Sequence, residues 1–166
     1  YRAGEGTNTD CAAATRTTAT CAYGKANVGL GDGALMSIAG GNSNVAIGSG
    51  AGVNIKSSVG HVYIGSHAGE YAVSNSGNVG IGVGALQDAT TSYNVGIGET
   101  ALTEHGSGTG YGRNISIGYD SGRLITSGSY NTILGVESGR NMTTMDNSVL
   151  IGYRSCYTAA NCGGAT

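Results

Sequence analysis

Aliphatic residues, replaced once by a threonine, recur along this chain in pairs that are separated by one residue. The first members are Val28, Val45, Val62, Val79, Val95, Ile115, Thr132 and Val149, and the second members are Leu30, Ile47, Ile64, Ile81, Ile97, Ile117, Leu134 and Ile151. A period of two places alternate side chains on one face of a β-strand. The pattern therefore predicts eight short strands, and we expect both aliphatic columns to point into the interior.

The residue between the two aliphatic positions is small in most repeats. It is Gly29, Ala46, Tyr63, Gly80, Gly96, Ser116, Ile133 or Leu150. A merely solvated face would carry more charge, so we interpret this column as an outward face that lets another layer or chain approach closely.

The spacing of the repeats predicts the fold. They start at Asn27, Asn44, His61, Asn78, Asn94, Asn114, Asn131 and Ser148, so successive starts are 17, 17, 17, 16, 20, 17 and 17 residues apart. A period this short is typical of a solenoid coil. We predict an all-β, parallel β-solenoid (a β-helix or β-roll) of eight coils over residues 27–155, with cap segments at 1–26 and 156–166. The asparagines that begin the coils indicate turns or a stacked amide ladder.

A glycine ends every predicted strand. The eight are Gly31, Gly48, Gly65, Gly82, Gly98, Gly118, Gly135 and Gly152. Glycine is expected where the chain turns with positive φ or where two backbones pass too closely for a Cβ atom. We therefore predict a corner at each of them. The alanine or serine three residues later is predicted to point inward on the returning part of each coil.

Composition limits the size of the core and the choice of partners. The 166 residues include 32 Gly and no Pro, Phe or Trp, and only 11% are charged. The net charge is −2 and the basic residues are scattered, which argues against nucleic acid as a partner. No apolar run approaches the ~20 residues of a membrane-spanning helix, so no membrane insertion is expected. Because each coil buries few large side chains, we expect self-association through the small-residue column and disulfides at the ends.

The four cysteines lie only in the two end regions. Cys11 and Cys21 precede the first coil, and Cys156 and Cys162 follow the last strand. Pairing within each end is the simplest of the three possible connectivities. Such disulfides would indicate an extracellular location. With no His beside either pair, the spacing argues against a zinc site.

The segments "NVAIGSGAG", "NVGIGVGAL" and "NTILGVESG" resemble the repeats of phage tail-fibre shafts. They are also similar to the β-roll heads of trimeric autotransporter adhesins. The resemblance extends from Asn27 to Ser155 and implies a homotrimeric, non-enzymatic fibre module that projects from a virion or cell and binds a surface.

No catalytic, cofactor-binding or metal-binding constellation emerges from the sequence. The glycine-rich stretches at 29–33 and 80–84 lack the lysine and following helix of a phosphate loop. His61, His67 and His105 are interpreted as solvent-facing substitutions. The most suggestive surface residues are Tyr93, Tyr119, Tyr130 and Tyr153, which recur at equivalent positions and are candidates for interface or glycan contacts.

These observations predict a structural fibre or adhesive module whose main partner is itself. Two alternatives remain open. Disulfide-stabilised subunits could stack end to end into an extracellular filament, because an open coil end is an unpaired sheet edge. The chain could also be a receptor-binding domain that uses its tyrosines to bind cell-surface glycans.

Overall fold

A computed structural model describes residues 26–73, 75–103, 112–158 and 162 of the chain. Within these ranges the chain forms eight strands of three residues each and no helix. The strands are β1 (Val28–Leu30), β2 (Val45–Ile47), β3 (Val62–Ile64), β4 (Val79–Ile81), β5 (Val95–Ile97), β6 (Ile115–Ile117), β7 (Thr132–Leu134) and β8 (Val149–Ile151). All are parallel and lie in one sheet in chain order. The predicted all-β parallel solenoid is confirmed.

The register between strands follows the sequence repeat without a slip. Val28 pairs with Val45, and Val95 pairs with Ile115 although 20 residues separate them. Backbone hydrogen bonds run between coils beside the strands too, such as that from Gly48 N–H to Leu30 O at 2.7 Å. The strand of each coil therefore sets the register of the next. The additional residues of the longest coil do not alter the pairing of the strands on either side of it.

The prediction of which strand face is buried was wrong. In β1 to β7 the middle residue is buried, whereas the two flanking residues are exposed or partly exposed. Val149 and Ile151 of β8 are also exposed. The small-residue column thus points into the solenoid and cannot be the contact face, and the aliphatic columns point outward.

The narrow interior explains this orientation. A Cβ atom built on Gly80 would lie 3.0 Å from the carbonyl oxygen of Ala85 in the returning part of the same coil. On Gly96 it would lie 3.1 Å from the carbonyl oxygen of Ala101. At these two positions the interior is tight even for one methyl group, so two columns of branched side chains would not fit there. The buried alanine and serine positions of the returning segment, from Ala34 to Ser138, complete this thin core.

The middle strand residue and the residue six positions later share the interior space. Where the strand carries Gly80 or Gly96, the later position is Leu86 or Leu102, and all four lie inside. Where the strand carries Tyr63, the later position is Gly69, and a Cβ there would lie 2.4 Å from the tyrosine ring. The later position has φ between 51° and 60° in all eight coils, whether it is glycine, leucine or cysteine. In the first seven coils at least one of the two positions is small, and in coils 2 and 6 both are, with Ala46 and Gly52 or Ser116 and Gly122. In these coils the interior therefore does not hold a large residue at both positions.

The corner glycines have two reasons to be glycine. Their φ values range from 118° to 140°, a region that L-residues rarely adopt. In the first seven, a Cβ would also lie within 2.6 Å of backbone atoms of the corner glycine in the next coil. At Gly152, the eighth, no atom of the described residues lies within 4 Å of that position. The corner column is thus a stack of backbone contacts that ends at the last coil.

The asparagines at the coil starts form a hydrogen-bond ladder through the molecule. The Oδ1 atom of Asn94 accepts the backbone N–H of Asn114 at 3.0 Å, and Oδ1 of Asn114 accepts that of Asn131 at 3.0 Å. The Nδ2 group of Asn114 donates to Gly128 O in its own coil at 2.9 Å. Each side chain therefore satisfies buried backbone groups of two coils, which a turn residue alone would not do.

A disulfide joins Cys156 and Cys162 at the C-terminal end. Cys156 occupies the interior position that Leu86 or Leu102 fills in other coils, so the disulfide takes the place of core side chains in the last coil. Cys162 also contacts the Met142 sulfur at 3.5 Å. Cys11, Cys21 and the rest of the predicted N-terminal cap up to residue 25 lie outside the described residues.

Candidate functional site

The most distinctive surface is the outward side of the sheet, which we term the aliphatic face. It consists of the first and third residues of each of the eight strands, and Thr132 is its one polar member. Ile151 and Val149 at its C-terminal end are 66% and 69% exposed. No charged residue occupies any of these positions. Parallel sheets are normally covered on both faces, so a bare apolar face of this length is unusual.

Two columns of exposed residues border the aliphatic face. The Asn-side rim contains the residue before each coil start: Ala26, Ser43, Gly60, Gly77, Tyr93, Arg113, Tyr130 and Asn147. The Gly-side rim contains the residue after each corner glycine: Asp32, Ser49, Ser66, Val83, Glu99, Tyr119, Val136 and Tyr153. The four tyrosines singled out in the sequence are all rim residues, and each has about half or more of its surface exposed. The rim residues of the first three coils have small side chains, and those nearer the C-terminus have larger ones.

On the Asn-side rim, three side chains form a stack along the solenoid. The Arg113 guanidinium carbon lies 5.3 Å from the ring centroid of Tyr93 and 5.6 Å from that of Tyr130. All three residues have φ near 60°. The cation lies within the distance at which an aromatic ring attracts it. The stack ties three successive coils together and holds the two tyrosines in fixed positions.

Near the C-terminus, charged and aromatic side chains form a second cluster. Arg154 pairs with Glu137 of the preceding coil, and its guanidinium carbon lies 5.1 Å from the ring centroids of both Tyr153 and Tyr157. Hydrogen bonding to Glu137 raises the pKa of Arg154. Arg140 bonds to Asp120 at 2.8 Å and to the Tyr157 hydroxyl at 2.9 Å. These contacts keep opposite charges paired beside the last coils, where Tyr153 stays exposed.

The histidine prediction was wrong for His61, which is fully buried in the asparagine ladder. Its Nδ1 atom accepts the backbone N–H of Asn78 at 3.1 Å, and Nε2 lies 3.1 Å from Asn75 O. Burial lowers the pKa of His61 to about 4, so the ring is neutral near pH 7. The ring stacks on Tyr63 with centroids 4.9 Å apart. Burial raises the pKa of Tyr63. The occurrence of His61 at a coil start was the sequence signal for this role.

His67, and the two serines that directly follow an acidic residue, lie outside the asparagine ladder. The exposed His67 bonds to Glu70 at 3.0 Å, and His105 lies outside the described residues. Ser121 and Ser138 are buried, and Ser121 bonds to the Ser116 hydroxyl at 2.6 Å. Among the described residues no group of three or more His, Cys, Asp and Glu side chains could hold a metal ion. No helix in the described ranges is long and apolar enough to cross a membrane.

Compared with known proteins, the chain matches no family model, no curated protein and no solved structure.

Proposed function

We propose that this chain is a non-enzymatic structural module of an extracellular fibre or adhesin, and that it self-associates as a homotrimer through the aliphatic face. The exposed, uncharged face described above carries the proposal. The hydrophobic effect favours covering such a face. A second copy is the partner that presents an apolar stripe of equal length and identical coil spacing.

The shape of the stripe favours three copies over two. Each strand contributes only two outward side chains, so two narrow faces packed together would leave their borders in water. A stable interface buries about 800 Å² on each partner. In a trimer each copy contacts two neighbours, and both rims join the contact. The resemblance to trimeric fibres supports the same number.

An extracellular location fits the Cys156–Cys162 disulfide. In a trimer the rod also gains the core that a single narrow solenoid lacks, because three aliphatic faces would meet at one axis. The module would then act as a rigid spacer whose far end presents a binding surface.

A charge on the aliphatic face tests this proposal. In the Ile64→Lys variant the ammonium group would be buried between copies, so we expect the trimer to dissociate into single chains. Tyr71→Lys is the matched control, since Tyr71 is an exposed apolar residue of the same coil outside the face. Size-exclusion chromatography with light scattering gives the mass. If the Ile64→Lys variant stays trimeric, the aliphatic face is not the interface.

An end-to-end filament is the second candidate. The corner at Gly152 favours it, because none of the described residues covers this corner and the next coil of another subunit could rest there. The asparagine ladder argues for termination instead. Ser148 follows Asn131 in the ladder but donates its hydroxyl to Asp146 O at 2.9 Å. Negative-stain electron microscopy without reductant would show long filaments for this candidate and short rods for the trimer.

A further inference from the structure

The tyrosines on the two rims alternate from coil to coil. We assign each rim residue to the coil whose strand it borders, so that coil 5 contains β5. Coils 5 to 8 then have one rim tyrosine each: Tyr93 on the Asn-side rim, Tyr119 on the Gly-side rim, Tyr130 on the Asn-side rim and Tyr153 on the Gly-side rim. In coils 1 to 4 neither rim has an aromatic residue. In every coil that has a rim tyrosine, the opposite rim position is non-aromatic: Glu99, Arg113, Val136 or Asn147.

Contacts within one chain explain the order of residues along the Asn-side rim, where Arg113 lies between Tyr93 and Tyr130, but they do not link the two rims. Residues of one coil on the two rims, such as Tyr130 and Val136, are six positions apart with strand β7 between them. At about 3.3 Å per residue, an extended segment of that length separates them by roughly 15–20 Å. Side chains do not meet across the outer face over that distance. A second copy could bring the two complementary rims together.

Symmetry decides which rims meet between copies. Rotation about an axis parallel to the rods brings the Asn-side rim of one copy against the Gly-side rim of its neighbour, coil by coil. An antiparallel pair would instead bring like rims together, so Tyr93 and Tyr130 would meet the same rim of the other copy. An antiparallel pair whose two-fold axis lies between coils 6 and 7 would also place each ring opposite a non-aromatic residue, for example Tyr93 opposite Asn147. The proposed trimer has cyclic symmetry, which selects the parallel arrangement and places one ring opposite one non-aromatic residue in each of coils 5 to 8.

We propose that the two rims form a heterologous seam between parallel copies, in which Tyr93, Arg113, Tyr130 and Asn147 of one copy pack against Glu99, Tyr119, Val136 and Tyr153 of the next. This inference rests on the proposed self-association and specifies its geometry: parallel rods, matched coils and cyclic symmetry. In the seam the Arg113 guanidinium meets the ring of the neighbour's Tyr119, and the other rings cover apolar or amide surface. Tyrosine and arginine are enriched in such contacts.

The stack on the Asn-side rim prepares this surface before association. Arg113 already holds Tyr93 and Tyr130 at 5.3 and 5.6 Å, so little side-chain entropy remains to be lost when copies meet. On the other rim, the Arg154 guanidinium lies against Tyr153 in the same way. Three of the four rim tyrosines, Tyr93, Tyr130 and Tyr153, thus lie against a cation within each chain.

Disulfide trapping between copies tests the seam. The double variant Tyr130→Cys/Val136→Cys has one cysteine on each rim of coil 7, both at exposed positions. Tyr130→Cys removes one contact of Arg113, a small loss that leaves the buried core unchanged. After mild oxidation we expect a covalently linked trimer on a non-reducing gel, whereas each single variant should remain one chain. In the control Tyr130→Cys/Ser66→Cys the two cysteines also lie on opposite rims, but four coils apart. This variant should not form a disulfide between copies. The wild-type chain gives the background from the native cysteines.

The remaining outcomes overturn the seam in distinguishable ways. If single variants link into dimers, like rims meet and the copies are antiparallel. If sedimentation shows a trimer but the double variant does not link, the proposed function stands and the seam is wrong. If the uncrosslinked protein has the mass of one chain, both are wrong.

Discussion

His61 Nδ1 accepts the backbone N–H of Asn78 at 3.1 Å, in the place where other coils use the Oδ1 atom of asparagine. Its other nitrogen lies 3.1 Å from Asn75 O, where asparagine would donate through Nδ2. The neutral ring, with its proton on Nε2, thus reproduces both functions of an asparagine side chain. Protonation of Nδ1 would remove the acceptor and leave two donors facing each other.

Acidification should therefore weaken the fold through His61. Its folded pKa of about 4 lies below the unfolded value of 6.5, so the unfolded chain binds more protons between these values. The contribution to stability is complete above pH 6.5, falls as the pH drops toward 4, and amounts to about 3 kcal/mol. Urea unfolding at several pH values measures it. We expect the His61→Asn variant to lose this dependence while carboxylates titrate equally in both proteins. Parallel curves for the two proteins would contradict the ladder role.

Exchanging the sizes of two interior residues should be tolerated only when both are changed. Gly69→Leu places a side chain where the Tyr63 ring lies and should destabilise the fold by about 3 kcal/mol or more. Adding Tyr63→Gly recreates the arrangement of Gly80 and Leu86 in the next coil. A double-mutant cycle from urea unfolding should give a favourable coupling of roughly 2 kcal/mol. Additive losses would show that the two positions do not share one space.

The corner stack predicts a position-dependent effect of one substitution. Gly82→Ala brings a Cβ to 2.5 Å from the Gly98 backbone, so the coils must separate locally. Gly152→Ala has the same unfavourable sign of φ, but its Cβ meets no atom within 4 Å in the part of the chain that the structure describes. We expect Gly152→Ala to cost about 1–3 kcal/mol from backbone strain, and Gly82→Ala to cost clearly more. Equal melting temperatures for the two variants would argue against close backbone contact as the reason for glycine.

The stack on the Asn-side rim should contribute to stability as a unit. Arg113→Ala removes a cation from two rings and should lower the free energy of unfolding by about 1–2 kcal/mol, at roughly 0.5–1 kcal/mol per exposed contact. Arg113→Lys keeps the charge but not the planar guanidinium, so an intermediate loss is expected. Chemical denaturation at one fixed protein concentration compares the three proteins. An Arg113→Ala variant as stable as wild type would show that the stack is only incidental.

The repeat alone was sufficient to predict the fold class, the strand positions and the pairing of Val79 with Val95. Alternation also showed correctly that Val79 and Ile81 share a face. It could not show which face, because side-chain hydrophobicity favours burial while the width of the interior decides how much fits. The information about the buried face lay in a different pair of positions. The large residue is Tyr63 in one coil, with Gly69 six positions later, and Leu86 in the next coil, six positions after Gly80. This exchange shows that the two positions share one interior space. The role of His61 was missed because the residue was compared with surface histidines. The asparagines at the equivalent position of the other coils were the relevant comparison.

The central claim is that copies of this chain associate in parallel through the aliphatic face, and sedimentation of the purified, unmodified protein tests it most directly. The account predicts one species with three times the chain mass of 16.4 kDa, unchanged on dilution across the micromolar range. A single species at 16.4 kDa would contradict it, because the aliphatic face would then remain exposed to water in solution.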